Sequence, residues 1–392
     1  VSETRFLAID AGSLFTSGQK FTPGRLLIEG TTVAAAGTPQ SIHIPAGADR
    51  MDLSGMFVMP GFIDPHIHGC GGIDVMEGTF ESLNSISRTL VRYGTTSFLP
   101  TTVSSPPDVL TAAIEQLRAA LLKSFDGAHP LGIHLEGPFI NSARRGTHKA
   151  SNVLAPDLAL LEKWVNSPQG RVRLLTVAPE LNGIEPLLRL AKDFNVTLAM
   201  GHSDATFAQA RTAADQGICY AVHTFNAMRA FAHRDPGIVG EVLDDSRIYA
   251  EIIADGIHVA DAVVRIFARA KGKSGILLVT DAISATGMPD GRYSLGKDLV
   301  DVRDGVCRNA EGKLAGSTLT QDAALRNFMQ WTGWPLEEAV MGLTINPARA
   351  LGLDNKGVLE PGADADVAIL DKQLRVIATL VAGRVVFRNS DG

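Results

Sequence analysis

Eight short apolar segments recur along the middle of the chain: "MFVMPGFID", "TTSFLPTTV", "LGIHLEG", "VRLLTVAPE", "VTLAMGHSD", "CYAVHTFN", "YAEIIADGIH" and "GILLVTDAIS". The stretches between them behave differently. "PDVLTAAIEQLRAALLK" and "GIEPLLRLAKDFN" place apolar residues every three or four positions, the spacing of one buried helix face. Strands that alternate with amphipathic helices pair in parallel, because each crossover helix must cover a face of the sheet. Eight such units predict an α/β fold, a closed (β/α)8 TIM-like barrel rather than an open sheet. A segment at 290–312, "DGRYSLGKDLVDVRDGVCRNAEG", reads as a hairpin inserted after the eighth strand.

The two ends of the chain resemble each other more than they resemble the middle. "GRLLIEG" and "TTVAAAG" near the start, and "DADVAILD", "RVIATLVAG" and "RVVFRN" near the end, are strand candidates punctuated by glycine and proline. Neither end can bury a core alone. Residues 1–58 and 358–392 are therefore expected to join in one small β-sandwich domain, with 59–357 forming the barrel. "GVLEPGADAD" is the turn that re-enters it. A chain of 392 residues has room for one large domain and a small one.

Composition excludes some partners. A net charge of -6 argues against nucleic acid or an anionic membrane as the main partner, although a few local cations can still attract a small anion. The N-terminal "VSETRFLAID" has neither the basic region nor the apolar core of a signal peptide. No apolar run reaches the roughly 18 residues a membrane-spanning helix needs. Three separated cysteines, Cys70, Cys219 and Cys307, form no C-x-x-C pair and read as free thiols of a reducing compartment. The expectation is a soluble cytoplasmic protein.

The polar residues that end the strands carry the chemistry. Strand one ends in His66 and His68, strand three in Glu136, strand five in His202, strand six in His223, strand seven in His258 and strand eight in Asp281. Barrel strand ends converge on one face, where active sites lie. Residues i and i+2 of a strand share a side, so His66 and His68 can both point inward. Imidazoles and carboxylates without thiolate suit zinc, with iron or manganese as alternatives. A bound divalent metal would lower the pKa of water towards ~7. Asp281 is the candidate to take the water's proton and return one to the leaving group.

At this point a resemblance becomes specific. "PGFIDPHIHG", "GHSDAT", "TDAISATG" and the "GADADVAILD" tail resemble the amidohydrolase superfamily. Within it, "LEGPFIN", "RRGTHKA", "TVAPE", "HTFNAM", "IADGIHV" and "LAGSTLT" are similar to N-acetylglucosamine-6-phosphate deacetylases. The resemblance implies a homodimer that hydrolyses the acetamide of a phosphorylated amino sugar. It implies that Glu136, His202 and His223 hold the main metal and that His148 polarises the acetyl carbonyl. His258 and Arg234, with the backbone amides of Asn226 and Ala227, would meet the sugar and its phosphate. Arg234 would reach the neighbouring subunit's site, which gives work to "AMRAFAHRDPGIVGEVLDDS", a crossover expected to be a long irregular loop. Some members of this family replace both first-strand histidines with amides and use one metal. Here His66 and His68 are kept, which leaves room for a second metal bridged through Glu136. "AGST" at 315–318 would line the acyl end of the pocket or cap the helix after it.

Two other readings compete. One is a related amidohydrolase acting on N-acetylgalactosamine 6-phosphate or an N-acyl-D-amino acid. The other is an inactive binding or assembly relative, from which the ligand histidines or the strand-eight aspartate would be expected to be missing.

Overall fold

The computed structural model describes residues 5–167 and 169–389. Eight strands ring its centre: β1 (Phe62–Ile67), β2 (Thr95–Thr102), β3 (Ile133–Glu136), β4 (Val172–Val177), β5 (Thr197–Met200), β6 (Tyr220–Ala221), β7 (Tyr249–Ile253) and β8 (Ile276–Val279). Each pairs in parallel with the next in chain order. The ring returns on itself just beyond β8, where Ala282 bridges Ile67 and the Asp281 amide donates to the His66 carbonyl at 3.0 Å. The barrel is packed rather than hollow. Leu99, Leu174, Ala199, Tyr220, Ile253 and Leu277, one from each of six strands, meet in a single apolar cluster.

The principal helices are α1 (Phe80–Leu90), α2 (Pro107–Leu121), α3 (Leu158–Val165), α4 (Ile184–Asp193), α5 (Phe207–Asp215), α6 (Gly237–Asp244), α7 (Asp261–Gly275) and α8 (Gln321–Thr332). Local signals explain their limits. In α2 a proline stands at the first helical position, where no intrahelical N–H is needed. Its buried residues Leu110, Ala113, Ile114 and Leu117 keep the three-and-four spacing of the sequence. In α5 the Thr206 hydroxyl accepts from the Gln209 amide while the Gln209 side chain returns to the Thr206 amide, a capping box.

Both chain ends enter one eight-stranded, mostly antiparallel sheet. Strand Val367–Leu370 from the C-terminal end runs antiparallel to Phe57–Pro60 from the N-terminal end. Ile9, Leu26, Ile28 and Val58 pack there against Val367, Ile369 and Leu380. Each end supplies the apolar face that the other lacks.

Three local expectations need correction. "MFVMPGFID" is not one strand: a strand at Asp49–Pro60 belongs to the terminal sheet, and β1 starts only at Phe62. The break falls at Gly61, where a Cβ would lie 2.2 Å from the Thr96 side chain, so the close approach to β2 demands glycine. The inserted segment is a three-stranded antiparallel sheet, Gly291–Leu295, Asp298–Arg303 and Val306–Asn309, rather than a hairpin. The crossover after β6 is irregular only at first. Its second half is α6, in which Gly237 to Val242 are all buried, so no polar face sets off Ile238, Val239 and Val242 as a helical stripe.

Candidate metal centre

Six side chains meet at the mouth of the barrel around Glu136, the last residue of β3. Glu136 Oε1 lies 3.0 Å from His202 Nε2 and 2.9 Å from His223 Nε2, and those two nitrogens are 3.1 Å apart. His66 Nε2 approaches the same oxygen at 3.4 Å, while His68 Nε2 and His148 Nε2 each stand 3.3 Å from Glu136 Oε2. Asp281 Oδ1 completes the group, 3.3 Å from His68 Nε2 and 3.7 Å from His66 Nε2. A tetrahedral ion with bonds near 2.0–2.1 Å places its ligands about 3.3 Å apart, so these separations match the edges of a coordination polyhedron. Glu136, His202 and His223 make the tightest set, and the ligand atoms of His66–His68–Asp281, of His66–Glu136–His223 and of Glu136–His148–His202 also lie within 4.8 Å of one another. Cys70 belongs to none of them; its thiol is buried against the Ile86 carbonyl at 3.7 Å.

Hydrogen bonds behind the rings fix which nitrogen faces the centre. His68 Nδ1 lies 3.1 Å from the Thr101 carbonyl, and His202 Nδ1 lies 3.1 Å from the Arg144 carbonyl. A carbonyl only accepts, so each Nδ1 carries a proton and each Nε2 can offer a lone pair inward. His66 Nδ1 faces Glu251 Oε2 at 2.9 Å, which imposes the same tautomer. Its Nε2 is buried with no hydrogen-bond partner, an orphan that a metal would satisfy. His148 is oriented the other way. Its Nδ1 accepts from the Ser104 amide at 3.1 Å, so Nε2 carries the proton and acts as a donor into the cavity.

The electrostatics follow from this crowding. Burial pushes the Glu136 carboxyl up, but His66 and His202 outweigh it and hold the group well below the usual carboxylate range. Burial opposes protonation of His68, yet its hydrogen bonds to Asp281 and Glu136 raise it to about 9. Asp281 is lowered against its own burial by His68 and His66. Such a cluster of basic nitrogens around two ionised carboxylates is what a cation would replace protons in. Backbone strain collects here too: His202, His223 and Asp281 have φ of 46°, 28° and 50°, in the left-handed region that non-glycine residues avoid.

The centre opens into a cavity of about 250 Å³ whose lining includes His148, Asn226, Ala227, His258, Asp281 and Gly316. A second space of about 600 Å³ adjoins it, sharing Val103, Thr147, His148 and Leu295 as a common wall. His258 is held by Asp255, whose Oδ2 lies 2.7 Å from Nδ1; burial lowers this imidazole, but Asp255 outweighs it and leaves it raised. Gly316 lines the cavity. Ser317 does not cap α8, because its hydroxyl donates to the Thr280 carbonyl at 2.5 Å and the helix N-cap, Thr320, makes no side-chain cap bond. Arg234 is the exception among the sequence candidates. It lies in an exposed turn between Ala232 and Asp235, outside the lining of its own chain's cavity.

Nearby polar residues have structural duties. Glu180 accepts from Asn141 Nδ2 at 2.8 Å, Ser203 Oγ at 2.7 Å and the Asp204 amide at 2.6 Å, tying three loops together. Four buried groups beneath the centre escaped the sequence reading. His134 reaches Thr176 Oγ1 at 2.8 Å, and burial with neighbouring His66 keeps it well below the ordinary imidazole range. Asp64 accepts from Thr280 Oγ1 at 2.6 Å and is pushed up to about 6 by burial, against that hydrogen bond. Tyr220 and Glu251 pair at 2.7 Å. The period of two held the signal: Asp64 precedes His66, and His134 precedes Glu136, by two residues on the same strand face.

Comparison with known proteins narrows the chemistry. The amidohydrolase family matches residues 57–386. An N-acetylglucosamine-6-phosphate deacetylase of Lysinibacillus sphaericus is 41% identical over 347 residues, covering 88% of this chain and 89% of the relative. An N-acetylgalactosamine-6-phosphate deacetylase of Escherichia coli O157:H7 is 38% identical over 343 residues, covering 87% and 90%. Among solved structures, the N-acetyl-D-glucosamine-6-phosphate deacetylase of Mycobacterium smegmatis, a mutant in complex with N-acetyl-D-glucosamine-6-phosphate, superposes with a TM-score of 0.91 at 35% identity. It covers 97% of this chain and 99% of its own.

Proposed function

We infer that this chain, which belongs to the amidohydrolase family and within it to the N-acetylglucosamine-6-phosphate deacetylases, hydrolyses the acetamide of N-acetylglucosamine 6-phosphate. The products are glucosamine 6-phosphate and acetate, a step of amino-sugar catabolism and cell-wall sugar recycling. The observation that carries the reading is one cavity in which a proton-accepting Asp281, a donor on His148 Nε2 and the Glu136–His202–His223 triad face each other.

Glu136, His202 and His223 would hold a divalent metal, for which zinc is proposed over iron or manganese, with His66 and His68 available for a second. When bound, such a metal lowers the pKa of water towards ~7 and so supplies a nucleophile at neutral pH. The chain's own groups do the rest. Asp281 takes the proton from the attacking water and delivers it to the nitrogen as the carbon–nitrogen bond breaks, so the amine leaves neutral. His148 Nε2–H donates to the acetyl oxygen while negative charge develops there. His258, held by Asp255, binds a sugar hydroxyl, and the Asn226 and Ala227 amides bind the phosphate. Arg234, which does not reach its own cavity, serves the neighbouring subunit of a homodimer. A cytoplasmic setting suits the free thiols.

A second reading has one finding in its favour: a relative named for the galacto epimer is nearly as similar as those named for the gluco epimer. Acetate release from each 6-phosphate, with N-acetylglucosamine and an N-acyl-D-amino acid as unphosphorylated controls, decides between them. A clear preference in kcat/KM for N-acetylglucosamine 6-phosphate is expected. Preference for the galacto epimer or for an unphosphorylated amide would replace the substrate, and no release from any of them would overturn the enzyme reading.

A further inference from the structure

Glu251 is a carboxylate buried completely in β7, between the apolar Ala250 and Ile252. Burying an ionised carboxylate is costly unless donors and opposing charge answer it. Three donors do. Tyr220 donates its hydroxyl to Oε1 at 2.7 Å, and Oε2 accepts from the His223 amide at 2.8 Å and from His66 Nδ1 at 2.9 Å. Opposing charge is scarcer: among the described residues no lysine or arginine pairs with Glu251, and His66 is its only ionic partner.

That partner singles out one half of the metal centre. Behind His68 and His202 stand backbone carbonyls, whereas the carboxylate of Glu251 stands behind His66. A carboxylate on the outer nitrogen of a ligand histidine fixes its tautomer and raises the basicity of the inner nitrogen. Glu251 also holds the amide of His223, whose backbone is strained at φ 28°. One side chain thus contacts a histidine from each side of Glu136.

We propose that Glu251 is the positioning residue that makes the His66 side a competent second metal site, acting through His66 Nδ1. This rests on the metal-dependent reading above and adds Glu251, a residue that reading does not use.

Glu251→Gln is the sharp variant. Its amide oxygen can accept from both His66 Nδ1 and the His223 amide, while its NH2 faces a Tyr220 hydroxyl that can turn to accept. All three contacts survive and only the charge goes. Metal-free protein would be titrated with zinc against a chelator of known affinity, and metal per chain read by mass spectrometry. The parent is expected to take up two zinc ions. Glu251→Gln should take up the first with unchanged affinity and bind the second about 10–100-fold more weakly. Glu251→Asp, which withdraws the carboxylate by one methylene, should weaken the second ion more than the first, and it decides the matter should the glutamine variant fail to fold. Parent-like uptake of both ions by the variants, equal loss of both ions, or uptake of a single ion by the parent would overturn the proposal. The titration needs no substrate. Two-zinc uptake with selective loss but no acetate release would therefore sink the deacetylase reading alone.

Discussion

The floor of the cavity and the turn at 229–235 lie at the same end of the barrel and are built in opposite ways. On the floor, His66, His68, Glu136, His202 and His223 are buried, and every ring but His223 has its outer nitrogen held by a carbonyl or carboxylate. In the turn, Phe231 is 56% exposed, and Arg234 is exposed with no ion pair or hydrogen bond among the described residues. The turn is nevertheless well held at its base. Arg229 pairs with Asp235 at 2.7 Å, and Ala232 and Asp235 exchange two backbone hydrogen bonds of 3.1 Å. On the proposed homodimer reading, this exposed cation is the group that meets the phosphate in the neighbouring subunit's site. On that reading the buried floor breaks the bond, and the turn adds a cation from the neighbouring chain to the Lys313 that already lines the cavity.

The largest expected effect lies on the floor. Asp281→Asn removes the proton carrier but keeps the shape, and kcat for acetate release should fall about 10²–10⁴-fold with KM little changed. Near-parent turnover would remove Asp281 from the mechanism and with it the claim that this half is complete in one chain. Next comes the turn. Losing a hydrogen bond to a charged group costs about 1.5–3 kcal/mol, so Arg234→Ala should lower kcat/KM on the 6-phosphate about 10–100-fold, mainly through KM. Unphosphorylated N-acetylglucosamine should not notice the change. Mixing the two variants sharpens the comparison. In a homodimer with Arg234 acting across the interface, a hybrid rebuilds one intact site from an Arg234→Ala chain and an Asp281→Asn chain. Random exchange should restore activity to about one site in four. Exchange that restores nothing would place Arg234 in its own chain's site or outside the reaction.

How much of this was legible in the sequence follows the same divide. The floor could be read because barrel topology forces strand ends together. Once eight strands were recognised, His66, His68, Glu136, His202, His223 and Asp281 had to converge, whatever the loops did. His148 was harder, since it reaches the centre from a loop held by the Ser104 amide, and only the "RRGTHKA" resemblance pointed to it. Glu251, Tyr220, His134 and Asp64 lie one layer deeper. There a polar residue inside an apolar strand looks like an interruption until its cross-strand partners are known. Helix α6 hid for a related reason: a helix buried on most faces lacks the polar stripe that periodicity detects. The break at Gly61 was invisible because the chain is apolar on both sides of it, and only the contact with Thr96 shows why the strand must end.

The smallest expected effect tests whether the turn is truly fixed. Asp235→Asn weakens the pair with Arg229, a solvent-screened surface contact that contributes little to stability, so Tm should move by no more than about 2 °C. If that pair helps aim Arg234, KM for the 6-phosphate should rise about 2–5-fold with kcat unchanged. The two Ala232–Asp235 backbone bonds do not depend on the side chain and should keep the rise well below that of Arg234→Ala. A KM equal to the parent's would show that the backbone bonds alone hold the turn. A loss as large as that of Arg234→Ala would show that the arginine is aimed by a side-chain pair at the surface. The turn would then be the soft half of the site, and the contrast with the buried floor would widen.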